Sequence, residues 1–292
     1  MDLAEISEEV LESLKWLRDN LQSWALVLSH WKVTAKYREE KGKLQSFQKV
    51  ADIFTEWKVL ENPKGYELID IDFELRNFTN EKDSIKNWFH FFKTLTEVRP
   101  KALPEEFDAL ESQECGDNLK AILQLKALPH LVPPNGRLKI KEAGRFKHWK
   151  PSTAEAVESL IIHTKIAGDI TKARQEREDV MRRKGLILQH FIFVVGETLE
   201  NARDFFVAID NFLYSVTSAL QAIDICFKSF HVLRAKYPCA SDHIWYIIQR
   251  FLYKFETPYD VKKPYALEII QALKNLESKQ TLNKEAETNM EC

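Results

Sequence analysis

Glycine, clustered cysteine and long apolar runs are all scarce in this sequence, and each shortage excludes something. Only 8 glycines occur in 292 residues, and none is spaced as a dinucleotide-binding GxGxxG, a phosphate-binding P-loop or a GxSxG nucleophile elbow. The four cysteines, Cys115, Cys226, Cys239 and Cys292, form no CxxC. They offer neither a zinc knuckle nor a disulfide framework, and point to a reduced, intracellular setting, nucleus or cytoplasm. The longest apolar candidate, Leu186 to Gly196, is interrupted by Gln189 and His190, well short of the ~20 residues a membrane helix needs. An N-terminus carrying Asp2, Glu5, Glu8 and Glu9 opposes a signal or transit peptide. Net charge is only −2, so an argument for nucleic-acid binding has to come from a local patch.

What is present is apolar mass: 45% hydrophobic and 11% aromatic side chains, enough for one large core or two modest ones. Val10, Leu14, Leu17, Leu21, Trp24, Leu28 and Trp31 alternate at three- and four-residue spacing, predicting one helix from about Glu5 to Lys36. At ~1.5 Å per residue it would be roughly 48 Å long. Its stripe, Leu14, Leu17, Leu21, Trp24, Leu28 and Trp31, is either the buried face of a bundle helix or a seam for self-association. A second helix is expected from about Lys43 to Leu60, with Phe47, Phe54 and Trp57 on one face. In LIDIDFELRNF the period fits strand and helix alike, and the helical neighbours favour a short helix. Helices follow at about Ser84 to Val98, Pro104 to Ser112 and Asp117 to Leu128, ended by Pro129, Pro133 and Pro134.

The stretch from Val132 to Pro151 interrupts this pattern. It carries Arg137, Lys139, Lys141, Arg145, Lys147 and Lys150 against the single acid Glu142, with Phe146, His148 and Trp149 interleaved. Beyond it strands appear, at Ser159 to Lys165 and Gln189 to Val195. A hairpin is expected at Phe205 to Tyr214, turning at Asp210 and Asn211. A charged surface helix at Asp169 to Lys184 ends at Gly185. Three further helices are expected, at Thr217 to Lys236, after Ser241 or Asp242, and from Pro264 to about Leu276. The fold class is therefore α+β and predominantly α-helical: a helical half at 1–131, a basic connector at 132–151, and an α+β half at 152–276 with a small sheet and two or three helices. A polar tail at 277–292 is expected to be disordered.

Several phrases carry a resemblance: NPKGYELIDIDFE, LPHLVPPN, HWKPSTAEAVESLIIHTKIAGDI, FVVGE, FFVAIDNFLYSVTSALQAIDICFKSFHVL and KYPCASDHIWYIIQRFLY. From about Trp24 to Tyr265 the chain resembles the C-terminal module of uncharacterised, multiply copied animal proteins, common in insects, that derive from mobile elements and often carry a SAM-like domain. No SAM-like segment is evident, so the resemblance implies the bare module. It implies no catalytic residues, and it favours a nuclear or RNA-linked role.

Three functional readings follow. The leading one is a non-enzymatic interaction or adaptor module with protein partners, within a nuclear or nucleic-acid-associated complex and needing no cofactor. The second is direct polyanion binding through Arg137, Lys139, Lys141, Arg145, Lys147 and Lys150. Trp149 or Phe146 would then offer a stacking surface, and Arg137, Lys139 and Lys141 would project together from an extended chain. The third is a metal-dependent nuclease, in which Asp70, Asp72 and Glu74 on a strand face join Asp169, Asp210 or Asp224 around a divalent cation. A basic cluster at Lys172, Arg174, Arg177, Arg182, Arg183 and Lys184 is diluted by Glu176, Glu178 and Asp179, which reads as an exposed, internally paired face. His163, His190, His231 and His243 with Cys226 and Cys239 match no ligand spacing, and Cys226 reads as a small core hydrophobe.

Overall fold

A computed structural model describes residues 6–20, 23–44, 49–79, 83–112, 115–142 and 144–290. The long apolar stripe near the N-terminus does not form one helix. It is divided into α1 (Glu8–Asp19) and α2 (Trp24–Val33), with α3 (Ala35–Leu44) following directly. Asp19 and Asn20 are weak helix formers, and Ser23 adopts a left-handed φ of 59°. The chain doubles back there, so α1 packs on α2: Trp16 stacks on His30 at 4.4 Å, and the His30 imidazole bonds the Ser13 hydroxyl at 3.0 Å. The stripe proposed for self-association is thus used within the chain. Leu17 and Trp31 are buried, Leu14, Trp24 and Leu28 are half-buried, and Leu21 lies outside the described residues.

The second expected helix is shorter than its pattern. Helix α4 spans Val50–Glu56 and yields to a tight turn at Lys58–Glu61; Phe47 lies outside the described residues. Helix α5 (Gly65–Leu75) settles the ambiguous LIDIDF stretch as helix, burying Leu68, Ile69 and Phe73. Helices α6 (Trp88–Val98) and α7 (Asp117–Leu131) stand close to expectation, although α7 runs through Pro129. Proline is tolerated there because it lies in the last turn and costs only the bond to one carbonyl.

The presumed connector is a β-hairpin, β1 (Leu138–Glu142) and β2 (Arg145–Trp149), antiparallel with Glu142 opposite Arg145. Gly144 supplies the positive φ, 78°, that its two-residue turn requires. Helix α8 (Thr153–Leu160) follows. This helix is not among those expected above, and its local signal is a capping box: Ser152 Oγ accepts from the Glu155 backbone N–H while the Glu155 carboxylate accepts from that of Ser152.

The main sheet has the order β3-β4-β5-β6, from β3 (Ile161–Thr164), β4 (Phe191–Val195), β5 (Asp204–Ile209) and β6 (Phe212–Val216). Strands β3 and β4 are parallel, joined through the crossover helix α9 (Ile170–Arg183), and the other pairs are antiparallel. One face, with Ile192, Val194, Phe205 and Val207, joins the core of α7 and α10 (Ala219–Val232). The other, with Phe191, Phe193 and Val195, packs under Ile170 and Ala173 of α9. Helix α11 (Asp242–Ile247) continues into a wider turn at Ile248–Leu252. Helix α12 runs Pro264–Met290, past its expected end near Leu276. Residues 277–290 of the segment expected to be disordered continue the helix, with no glycine or proline to stop it, and 291–292 lie outside the described residues.

The two halves share one core. A single apolar cluster extends from Leu17 to Leu273, and α5 meets α10 across it, with Phe73 edge-on to Phe227 at 6.2 Å. Among the described residues no helix is long and apolar enough to cross a membrane.

Candidate functional site

The basic segment becomes a surface with two unlike faces. Side chains alternate along a strand and directly opposed residues share a face. The register Lys139 opposite His148 and Lys141 opposite Phe146 therefore places these four together, with Arg137 in phase just before the strand. All five are exposed. Phe146 is 66% exposed, and the Lys139 ammonium lies 4.4 Å from its ring centroid. A cation against an aromatic face at this range is worth about 0.5–1 kcal/mol at an exposed site.

The reverse face carries Leu138, Ile140, Glu142, Arg145, Lys147 and Trp149. Ile140 is only 4% exposed and Trp149 is half-buried beneath the Lys184 ammonium, 4.0 Å from its ring. Trp149 is half-buried while Phe146 is exposed, so Phe146 is the aromatic that this hairpin presents to solvent. Lys147 pairs with Glu142 at 2.6 Å and holds that carboxyl below its usual range. Lys150 is exposed beyond the strand end. Among the described residues, Arg137, Lys139, Lys141, Arg145 and Lys150 have no carboxylate partner.

The hairpin is seated on the C-terminal end of α9, which sequence separation had concealed. The Lys141 backbone N–H donates to the Lys184 carbonyl at 3.3 Å. Gly185, at φ 69°, lies so close that a Cβ would be 2.9 Å from the Lys141 carbonyl oxygen. Three of the six residues of the second basic cluster pair with carboxylates, only one of them within the helix and the other two with Glu155 and Glu158 of α8, and Arg177 is buried, so the face is not simply exposed and internally paired. Arg177 pairs with Glu158 at 3.0 Å, Arg182 with Asp179, and Lys184 with Glu155, while Arg174 bonds Asn211 at 2.9 Å. Arg183 is exposed and close enough to Glu142 to help depress its carboxyl.

The acidic candidates for a metal lose the geometry that motivated them. On helix α5, Asp70 and Asp72 are separated by about 200° at ~100° per residue, so they cannot line one face. Asp72 is buried against Arg38. Asp70 and Asp224 do converge, but on Lys228, whose Nζ lies 2.5 Å from Asp70 Oδ1 and 2.7 Å from Asp224 Oδ2. The Tyr253 hydroxyl also bonds Asp224 at 2.5 Å. Among the described residues no group of three or more His, Cys, Asp or Glu side chains is placed to hold a metal ion. The histidines serve separate local bonds: His163 to the Gly196 carbonyl at 2.7 Å, His190 to Ser229, His231 to Tyr237, and His243 to the Val132 carbonyl at 2.9 Å. Cys226 is fully buried, and burial raises its thiol far above the ordinary range.

No family model, no curated protein and no solved structure matches the chain.

Proposed function

We propose that this protein is a non-enzymatic interaction module whose hairpin binds a polyanionic partner, the phosphate backbone of a single-stranded nucleic acid, as part of a nucleic-acid-associated complex. One observation supports the reading: Lys139, Lys141 and His148 share a face of the hairpin with the exposed Phe146, whose ring has the Lys139 ammonium 4.4 Å from its centroid, and Arg137 follows in phase just before the strand. Cations flanking an exposed aromatic suit a single strand, because phosphates meet the charges while an unpaired base stacks on the ring. A duplex keeps its bases stacked inside and would leave Phe146 unused.

Fluorescence anisotropy with a labelled single-stranded 20-mer tests this. Binding should weaken with salt, with a log–log slope of about −2 for roughly three phosphate contacts. Lys139→Glu combined with Lys141→Glu should abolish it, Lys139→Glu with Arg145→Glu should weaken it, and Phe146→Ala should cost about 1–3 kcal/mol. Unchanged binding by the first double variant would refute the assignment. Salt-sensitive binding untouched by Phe146→Ala would refute base stacking.

A further inference from the structure

One residue on the presented face of the hairpin can change its charge near neutrality. His148 stands opposite Lys139 in the register of β1 and β2, and both are exposed. Histidine is the side chain that gains or loses charge between about pH 5 and 8, whereas lysine and arginine stay charged throughout that range. Arg137, Lys139 and Lys141 are thus fixed cations on this face, and His148 is a conditional one. Directly opposed side chains start about 5 Å apart, so His148 and Lys139 can meet the same phosphate or its neighbour.

The surroundings of His148 leave its charge to a ligand. His163, His190, His231 and His243 each bond a group within the fold. Among the described residues the His148 imidazole has no hydrogen-bond or ion-pair partner. Lys139 and Lys141 from β1 and Phe146 from β2 share its face, and Arg137 and Lys150 continue the same alternation just outside the strands. None of these is an acid. Glu142, the one carboxylate of the hairpin, lies on the reverse face with Arg145 and Lys147, and pairs with Lys147 at 2.6 Å. The C-terminal end of α9 meets the hairpin from that reverse side, where the Lys184 ammonium lies 4.0 Å from the Trp149 ring, and at the edge of Lys141, whose backbone N–H bonds the Lys184 carbonyl. An anion arriving on the presented face would be the first to pair with a protonated His148.

Resting on the assignment of the hairpin as a polyanion site, we propose that His148 is a proton-linked phosphate contact: the hairpin binds single-stranded nucleic acid more tightly as pH falls through the histidine range, taking up a proton as it binds. The phosphodiester keeps its charge in that range, so the change lies in the protein. Phosphates favour the imidazolium, and the bound state therefore holds more protons than the free state. By linkage the extra affinity is fully present below the histidine range and is lost as pH rises through it. Protonation adds one contact to roughly three. At about −0.7 per contact the log–log salt slope should steepen from about −2 at pH 8 to about −2.7 at pH 6, and one contact at ~0.1 M salt is worth up to about fivefold in affinity.

Fluorescence anisotropy of the full chain with a labelled oligothymidylate, whose bases take up no proton in this range, tests the proposal at pH 6 and pH 8, with the fold checked by circular dichroism at each. Wild type should bind about three- to fivefold more tightly at pH 6 and show the steeper slope there. His148→Asn, which stays neutral, should show the weaker affinity and the shallower slope at both pH values. His148→Lys, which stays charged, should show the tighter affinity and the steeper slope at both. Equal wild-type affinity at pH 6 and pH 8, or a pH dependence that survives in His148→Asn, would overturn the proposal and leave the hairpin assignment standing, because that assignment is decided by Lys139→Glu with Lys141→Glu. Absence of binding at both pH values would remove the hairpin assignment and this proposal together.

Discussion

Lys228 holds Asp224 at 2.7 Å in the seam between α5 and α10. The same ammonium reaches Asp70 at 2.5 Å, so one lysine neutralises a carboxylate from each half of the chain. Burial lowers the pKa of Lys228, but Asp224 and Asp70 outweigh it and leave the group raised. Removing the cation would strand two acids, one of them 13% exposed. Lys228→Met should therefore destabilise the fold by about 3 kcal/mol, the low end for a broken buried pair because Asp70 is more open. The loss should shrink in acid, because burial raises the Asp224 carboxyl above its ordinary range and its protonation removes the stranded charge. Urea melts at pH 7 and pH 4 decide this; equal midpoints for variant and wild type at pH 7 would show that the triad adds nothing.

Acid should destabilise the protein through His190. Its Nδ1 bonds Ser229 Oγ at 2.7 Å, its ring stacks on Phe230 at 5.0 Å, and burial pushes its pKa down from 6.5 to about 3. The unfolded chain binds the proton below about pH 6.5 and the folded chain does not. Stability is thus complete above that pH and falls by about 1.4 kcal/mol per unit as pH drops toward 3. His231, also lowered to about 3 by burial, steepens the loss. His190→Phe should flatten the profile between pH 6 and pH 4 by about one proton's worth, measured by urea unfolding across that range.

Gly65 should tolerate no side chain. A Cβ there would lie 2.3 Å from the Leu60 carbonyl oxygen and 3.0 Å from the Tyr214 ring, and that oxygen already accepts from the Tyr214 hydroxyl at 2.6 Å. Backbone cannot yield as a flexible side-chain tip can, so Gly65→Ala should cost about 2 kcal/mol or more. Tyr214→Phe should cost about 1–2 kcal/mol by leaving the buried carbonyl unpaired. Thermal melts monitored by circular dichroism check both, and a Gly65→Ala midpoint equal to wild type would contradict the packing.

The two faces of the hairpin should separate stability from binding. Ile140→Ala, at a buried position, should cost about 2 kcal/mol or more, whereas Phe146→Ala, at an exposed one, should alter stability by under about 0.5 kcal/mol. The reverse order in chemical denaturation would mean that the faces are assigned the wrong way round.

Much of the architecture is legible locally. The β5–β6 hairpin was expected from apolar alternation broken by Asp210 and Asn211, and Asp210 does take a positive φ, 49°. Helix α9 was legible from its sparse apolar stripe and the glycine after it. The capping box of Ser152 and Glu155 is equally local but was outweighed by the β-branched residues that follow. The charge of 137–150 stood out in sequence, and alternation anticipated that Arg137, Lys139 and Lys141 would project together. That Phe146 is exposed and Trp149 half-buried depends on how the hairpin is seated against the end of α9, around Lys184, thirty-five residues beyond Trp149.

The sequence alone determined the α+β class, the helical bias and the basic segment, because side-chain period, caps and turn residues act within a few positions of themselves. Tertiary structure decided where the first stripe folds back on itself, that Asp70 and Asp224 close on a lysine, and that the basic hairpin rests on the end of α9. Those outcomes depend on which surfaces become buried together, and burial decides both which charges must be paired and which remain available to a ligand.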